Sequence, residues 1–298
     1  MSRTFALFTK TYVGDTADFA KLCASIDRHM PDVTHYVLVD HSDYALFEHY
    51  ASDRRKVIDC KTILPQFIEI NLPGRRIWWR FPLMPVRGWI YQQLIKIGFS
   101  ATLEEDAVVV VDSDVIFHRA LAEDDVFEGS RVKFFRAPGR GDGPQHQLWN
   151  RIAQRCLGVP EIGYPGYDYI IPAIQVSPKV MRGMIARIEE TTGKNWAQVL
   201  CGNFRFSEYV LYGTYCDAVP GPHQDLIAAT EHGFCHCSWD YDLDDSAGMA
   251  AFLNGLEPRH ACVVVQSNLG LSQEQRARIF DQLDYSNSEK MMGLHSHD

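Results

Sequence analysis

The sequence of 298 residues lacks any apolar run long enough to span a membrane, so no transmembrane segment is expected. Its N-terminus, MSRTFALFTKTY, has neither a long apolar core nor a small-residue cleavage site. No secretory leader is read there, and the expectation is a cytoplasmic chain. The eight cysteines are scattered and form no disulfide framework, which fits reduced thiols. Positive charge is in deficit: 29 Lys and Arg stand against 38 Asp and Glu, a formal net charge of −9. That balance gives a nucleic-acid-binding surface no support. Internal repeats and low-complexity segments are also missing. The 46% hydrophobic content is ordinary for a globular protein. The length suffices for one large α/β domain or two small ones.

The rest of the chain is organised around Ala107–Phe117, AVVVVDSDVIF. Four β-branched valines without alternation predict a strand buried on both faces, as in a parallel sheet covered by helices. Asp112 and Asp114 follow, with Ser113 between them. Open α/β sheets bind ligands at the carboxyl ends of their strands. Two acids there repel unless a cation or a proton intervenes, and a divalent metal bridging to phosphate oxygens relieves them economically. Magnesium and manganese suit such oxygens. The competing reading is a turn with solvated side chains.

Phe5–Phe8 predicts a first strand, with Thr9, Lys10, Thr11 and Tyr12 at its end. Asp15 suits a helix cap, and Phe19, Leu22, Cys23 and Ile26 recur at helical spacing. His35–Val39 reads as a second strand closing on Asp40, His41 and Asp43. A right-handed βαβ unit follows, which puts Thr9, Lys10, Asp40 and Asp43 on the same sheet edge as Asp112. Phe47–Ala51 reads as a short helix and Val57–Ile58 as a third strand. Asn71–Gly88 has no clean period and reads as a long irregular loop. Its Arg75, Arg76, Arg80 and Arg87 suit phosphates. Its Trp78 and Trp79 suit a sugar face or a membrane interface, or else a satellite core. Trp89–Phe99 predicts a helix burying Ile90, Leu94 and Ile97. Gln92, Gln93 and Lys96 lie on its other faces and are read as ligand contacts, against plain solvated surface.

Beyond Phe117, strands are predicted at Val132–Phe135, Ile170–Val176, Phe234–Trp239 and Ala261–Val265. Helices are predicted at Trp149–Leu157 and Lys179–Thr191, and a capping box at Ser272–Gln275 opens a last one. Gly163–Tyr169 is a tyrosine-rich loop. Ser207 suits a cap for a helix carrying Glu208. His232, Cys235, His236 and Cys237 match no structural zinc spacing.

Taken in this order, the βαβ start, GWIYQQLIKI, VVVVDSD and FSEYVLYG resemble bacterial glycosyltransferases of the GT-A fold, of the kind found in polysaccharide and surface-glycan clusters. The likeness runs from about Phe5 to Asn268. It implies an α/β, Rossmann-like fold with a mixed, mostly parallel sheet flanked by helices. It implies one catalytic domain over 1–285, a donor half to about 117 and an acceptor half beyond, with 286–298 a flexible tail. The implied partners are a nucleotide-diphosphate sugar donor and a glycan or lipid-linked acceptor, with peripheral contact at the inner face of the membrane and no nucleic acid. The implied cofactor is Mn²⁺ or Mg²⁺. Asp114 would bind it directly, and Asp112 would touch the ribose or the metal's water shell. Thr9, Lys10 and Tyr12 would hold the nucleotide, joined by Asp40, Arg87, Gln93, Lys96 and Ser113. Where relatives complete the metal shell with a C-terminal histidine, this chain has Gln266-Ser267-Asn268. His236 is therefore the first candidate, and Asn268 or Ser267 the second. Glu208 falls where inverting relatives keep a catalytic base, with Asp168 in reserve and a structural acid at a helix start as the alternative.

Two other classes compete. A haloacid-dehalogenase-type phosphatase also places DxD after a buried strand, with Asp112 as nucleophile. That motif usually lies near the N-terminus, and here about a hundred residues precede it. A non-catalytic nucleotide-sugar-binding module is the third reading.

Overall fold

A computed structural model of the protein describes residues 3–243 and 245–265. The central sheet is built from β1 (Phe5–Thr11), β2 (His35–Val39), β3 (Arg55–Asp59) and β7 (Ala107–Val111), all parallel. The strand Ala173–Val176 adds antiparallel to β7 at one edge, so the sheet is mixed and mostly parallel, as expected. All five residues of β7 are buried, in keeping with its unbroken valine run.

Helices cover both faces of the sheet. Phe8 and Tyr36 meet Phe99 of α3 (Gly88–Thr102) on one face, with ring centroids 4.8 and 5.3 Å apart. His35 points the other way and meets Phe19 of α1 (Thr16–His29) at 6.3 Å. Successive strand residues alternate faces, so α1 and α3 lie on opposite sides. From β1 the chain steps outward through β2 and β3, then returns to place β7 on the other side of β1. The order of strands thus reverses between β1 and β7. At such a switch point the flanking helices diverge and leave a crevice beyond the carboxyl ends of the strands.

The stretch Ala107–Phe117 is two strands, not one. After β7 the chain turns at Asp112–Asp114, with the Val115 amide donating to the Asp112 carbonyl at 3.3 Å. It then enters β8 (Val115–Phe117), which belongs to a second sheet with Cys235–Cys237 and Cys262–Val264. Asp112, Ser113 and Asp114 therefore sit at the junction of two sheets.

Residues 68–87 correct the expectation of an irregular loop. They form a meander of β4 (Ile68–Leu72), β5 (Arg75–Trp79) and β6 (Val86–Arg87). Pro73 and Gly74 close the first hairpin, and Gly74 takes φ 74°, which the third position of a type II turn demands. Prolines and arginines hid the period of two. Trp78 stacks on Tyr91 with centroids 4.6 Å apart and is core. The strand expected over Ile170–Val176 begins only at Ala173, and that at Phe234–Trp239 narrows to Cys235–Cys237. Asp15 occupies the N-cap position of α1 but its side chain does not cap it. Ser207 does cap the helix Glu208–Ala218, its hydroxyl accepting from the Val210 amide. The last predicted helix and the tail lie outside the described residues.

The helix Glu208–Ala218 is held close to Tyr169, whose hydroxyl donates to Asp217 at 2.8 Å. A Cβ added at Gly213 would stand 2.2 Å from the Tyr169 ring. Gly213→Ala is therefore expected to lower stability by about 1–3 kcal/mol in urea unfolding, the range for overpacking a filled core. Gly202→Ala, which meets nothing within 4 Å, should change it little.

Candidate functional site

The crevice at the switch point holds two adjoining clefts. The first, about 310 Å³, is walled by Asp15, Asp18, Asp112, Asp114, Glu208 and Lys96, among others. The second, about 540 Å³, lies over the ends of β1 and β2 and is walled by Lys10, Thr11, Tyr12, Asp40, Arg75 and Arg76, among others. Trp89 and Gln92, in the first turn and a half of α3, border both. The combined space falls within the range of small-molecule sites.

A buried lysine organises the first cleft. The Lys96 ammonium donates to Asp112 Oδ1 at 2.9 Å and to the Tyr209 hydroxyl at 2.9 Å, and pairs with Glu208 Oε1 at 3.1 Å. Its three protons thus have three acceptors. Burial pulls its pKa down, but Asp112, Tyr209 and Glu208 outweigh that and hold it well above the ordinary lysine value. Lys96 is a fixed cation. Glu208 is also buried, and burial raises its pKa above the usual range despite the opposing pull of Lys96. Gln93 does not reach into the cleft as a simple ligand contact. Its Oε1 accepts from the Glu208 amide at 2.9 Å and its amide donates to the Trp89 carbonyl at 3.3 Å. It sets the start of the helix that carries Glu208.

The second cleft is braced by a denser network. Lys10 pairs with Asp40 Oδ1 at 2.8 Å and donates to the Thr11 carbonyl. Arg76 bridges Asp40 at 3.0 Å and grips Asp43 with two bonds of 2.8 Å, and also pairs with Glu69 at 3.2 Å. Burial would raise the Asp43 carboxyl, but Arg76 and the Val13 amide prevail and lower it. Arg76, expected to face phosphate, is thus a strut between β5 and the end of β2. Among the described residues, Thr11 Oγ1 in the second cleft and Trp149 Nε1 in the first are buried polar atoms with no hydrogen-bond partner. A buried donor or acceptor left open in this way is suited to a ligand.

Of the residues singled out in the sequence, Lys10, Tyr12, Asp40, Gln93, Lys96, Asp112, Ser113, Asp114 and Glu208 all border the two clefts. Thr9 does not. Its side chain is fully buried on the opposite face of β1, bonded to His35 at 3.1 Å. Burial lowers the His35 pKa to about 3, so the ring is neutral and accepts from Arg55 at Nδ1. Arg87 is exposed on the meander and borders neither cleft. Asp168 is buried apart from them, accepting from the Ile170 amide at 3.1 Å and facing His146 at 3.6 Å. His236 borders neither of the two clefts. Its Nε2 contacts the Phe252 carbonyl at 2.8 Å, its ring stacks on Phe252, and it borders a different cavity. Asn268 lies outside the described residues.

Sequence reasoning missed several wall residues, among them Asp15, Asp18, Trp89, Trp149 and Tyr209. Asp15 and Asp18 carried a usable signal, since the loop after the first strand of a βαβ unit faces the crevice. Trp149 and Tyr209 carried none.

The donor chemistry of the first cleft fits a hard divalent cation. Among the described residues, no three His, Cys, Asp or Glu side chains gather as a self-contained metal cage. Magnesium-type sites commonly use only one or two carboxylates and take the remaining oxygens from substrate phosphates and water. Five carboxylates share this cleft with one lysine. Asp15 registers the excess: burial first, then Asp18, with Asp112 adding, lift its pKa to about 6. Asp112 and Asp114, both on its wall, are the pair that could hold such an ion.

The model of a family of unknown function, DUF6492, matches residues 4–284. No protein of curated function matches the sequence. Among solved structures, the chain is similar to an active-site mutant of LgtC, at 12% identity over 94% of this chain and 95% of that one, with a TM-score of 0.49. It is also similar to the galactosyltransferase LgtC in complex with donor and acceptor sugar analogues, at 11% identity, the same coverages and a TM-score of 0.43. A third similar structure is the glycosyltransferase GlyE of Streptococcus pneumoniae, at 13% identity and a TM-score of 0.41. The match spans 95% of this chain and 60% of GlyE.

Asp15 gives a pH dependence with a definite sign. In the unfolded chain its carboxyl ionises near 3.8, and in the folded chain near 6. Between those values the folded state binds the extra proton, so stability falls as pH rises through that window. Asp15→Asn removes the penalty. It is expected to raise the melting temperature at pH 7.5 and to change it little at pH 4, as followed by circular dichroism.

Proposed function

This chain belongs to DUF6492, a family of unknown function, and we propose that it is a metal-dependent glycosyltransferase that moves a sugar from a nucleotide-diphosphate donor to a glycan or lipid-linked acceptor with inversion. The observation that carries the reading is the shared border of the two clefts. Trp89 and Gln92 belong to both, so one elongated ligand runs from the end of β2 to Asp112, Asp114 and Glu208. The second cleft takes the nucleotide, with Asp40 at the end of β2 and Lys10 and Thr11 at the end of β1. The first takes the diphosphate and the sugar. The resemblance of VVVVDSD and FSEYVLYG to GT-A glycosyltransferases supports the same assignment.

Asp112 and Asp114 would hold a divalent cation, Mn²⁺ or Mg²⁺, which when bound would supply charge neutralisation for the departing diphosphate. Glu208 receives the proton of the acceptor hydroxyl as its oxygen bonds to the anomeric carbon and the bond to the diphosphate breaks. A carboxyl whose pKa burial has raised is a better proton acceptor than an exposed one. Lys96 keeps Asp112 and Glu208 at a fixed separation. Trp149 offers its unpartnered indole N–H to a sugar hydroxyl. Trp89 and Trp149, with ring centroids 6.1 Å apart, screen the first cleft from bulk water.

Two measurements test the proposal. Calorimetry should show nucleoside diphosphate binding far more tightly with Mn²⁺ than with chelator, and Asp114→Asn should abolish most of that difference. Equal affinity in chelator would rule out the metal bridge. Glu208→Gln should lower kcat by at least about 10²-fold and leave donor affinity nearly unchanged, because a general base acts on the chemical step. Inverted product is expected from the wild type; retention would remove Glu208 from the role of base. Hydrolysis of simple phosphate esters, the mark of an Asp112 nucleophile, is not expected.

A further inference from the structure

The β4–β5–β6 meander has two unlike faces. Cross-strand pairs Glu69–Trp78 and Asn71–Arg76 point inward, where Trp78 meets Tyr91 and Arg76 meets Asp40 and Asp43. Pairs Ile68–Trp79, Ile70–Ile77 and Leu72–Arg75 share the other face, and Arg87 stands beside Ile77. Ile68 is 61% exposed there, and Phe81 and Met84 on the adjoining loop are 80% and 69% exposed. A contiguous apolar surface of this kind marks an interaction site. Its charge is opposite to that of the whole chain. From Ile68 to Arg87 there are four arginines and a single acid, Glu69, which is turned inward onto Ser42 and Arg76.

From this pattern we infer that the outer face of the meander docks on an anionic lipid surface. Exposed isoleucine, phenylalanine and methionine enter the interfacial layer, and Arg75, Arg80 and Arg87 meet the lipid phosphates. Apolar burial combined with basic side chains is the chemistry of reversible interfacial binding. A second copy of the chain fits less well, because a two-fold contact through this face would set arginines against arginines between molecules of net charge −9. Leu72 and Arg75 at the hairpin tip also border the second cleft, so docking brings its mouth to the membrane. Where the transferase reading holds, this favours a lipid-linked acceptor; the docking itself does not depend on that reading.

The test is co-sedimentation of the full chain with phosphatidylcholine vesicles, with and without phosphatidylglycerol. Binding to the anionic vesicles is expected at about 0.1 M salt and should be lost near 1 M, where the Debye length shrinks from about 10 to about 3 Å. The variant Ile68→Ser, Phe81→Ser, Met84→Ser should bind at least about tenfold more weakly with an unchanged melting temperature, since all three side chains are exposed. Arg87→Glu should weaken binding at low salt. Three results would each overturn the inference: wild type that ignores anionic vesicles at low salt, a triple variant that binds like wild type, or light scattering in which the triple variant turns a dimer into a monomer.

Discussion

The ammonium of Lys96 is the constraint on which the site depends. It lies at the meeting point of α3, the end of β7 and the start of the helix Glu208–Ala218, and each supplies it a partner. A buried lysine needs its compensating charges, and removing one partner of a buried pair typically costs about 3–5 kcal/mol. The three elements are thereby held at one spacing. Asp112 and Glu208 are held by the same cation, so the two acids share one reference point. Gln93, about one helical turn earlier on α3, fixes the Glu208 backbone, and Lys96 its side chain. A site built in this way gives little room for its carboxylates to drift.

A second ion network does for the other cleft what Lys96 does for the first. Arg76 ties the meander to Asp40 and Asp43, and Lys10 ties Asp40 to β1. The two networks differ in their balance. In the second cleft lysine and arginine nearly match the acids around them. In the first, carboxylates outnumber cations, and the raised pKa of Asp15 records the mismatch. That local excess of negative charge arises only because α1 and β7 converge on the same crevice. The meander links site and surface: its inner face carries the strut of the second cleft, and its outer face carries the exposed apolar patch.

The frame was legible in the sequence because strands and helices report their burial locally. Val108–Val111 has no alternation and is buried on both faces; Phe19, Leu22, Cys23 and Ile26 recur at helical spacing and face the core. Strand polarity then put Lys10, Asp40 and Asp112 on one edge of the sheet, and they do border the same crevice. Periodicity says that a residue is buried, though not which partner it meets. Thr9 and Lys10 are neighbours in one strand, yet one faces His35 beneath the sheet and the other Asp40 beside the cleft. Trp78 and the arginines around it looked like a loop because prolines and charges mask a two-residue period. Only the tertiary structure brought Lys96 against Glu208 and Tyr209, turned Asp15 from a helix cap into a cleft wall, and put His236 on the wall of a different cavity. Those outcomes are set by contacts between distant segments, and a polar side chain carries no local mark of the charge it will meet across the fold.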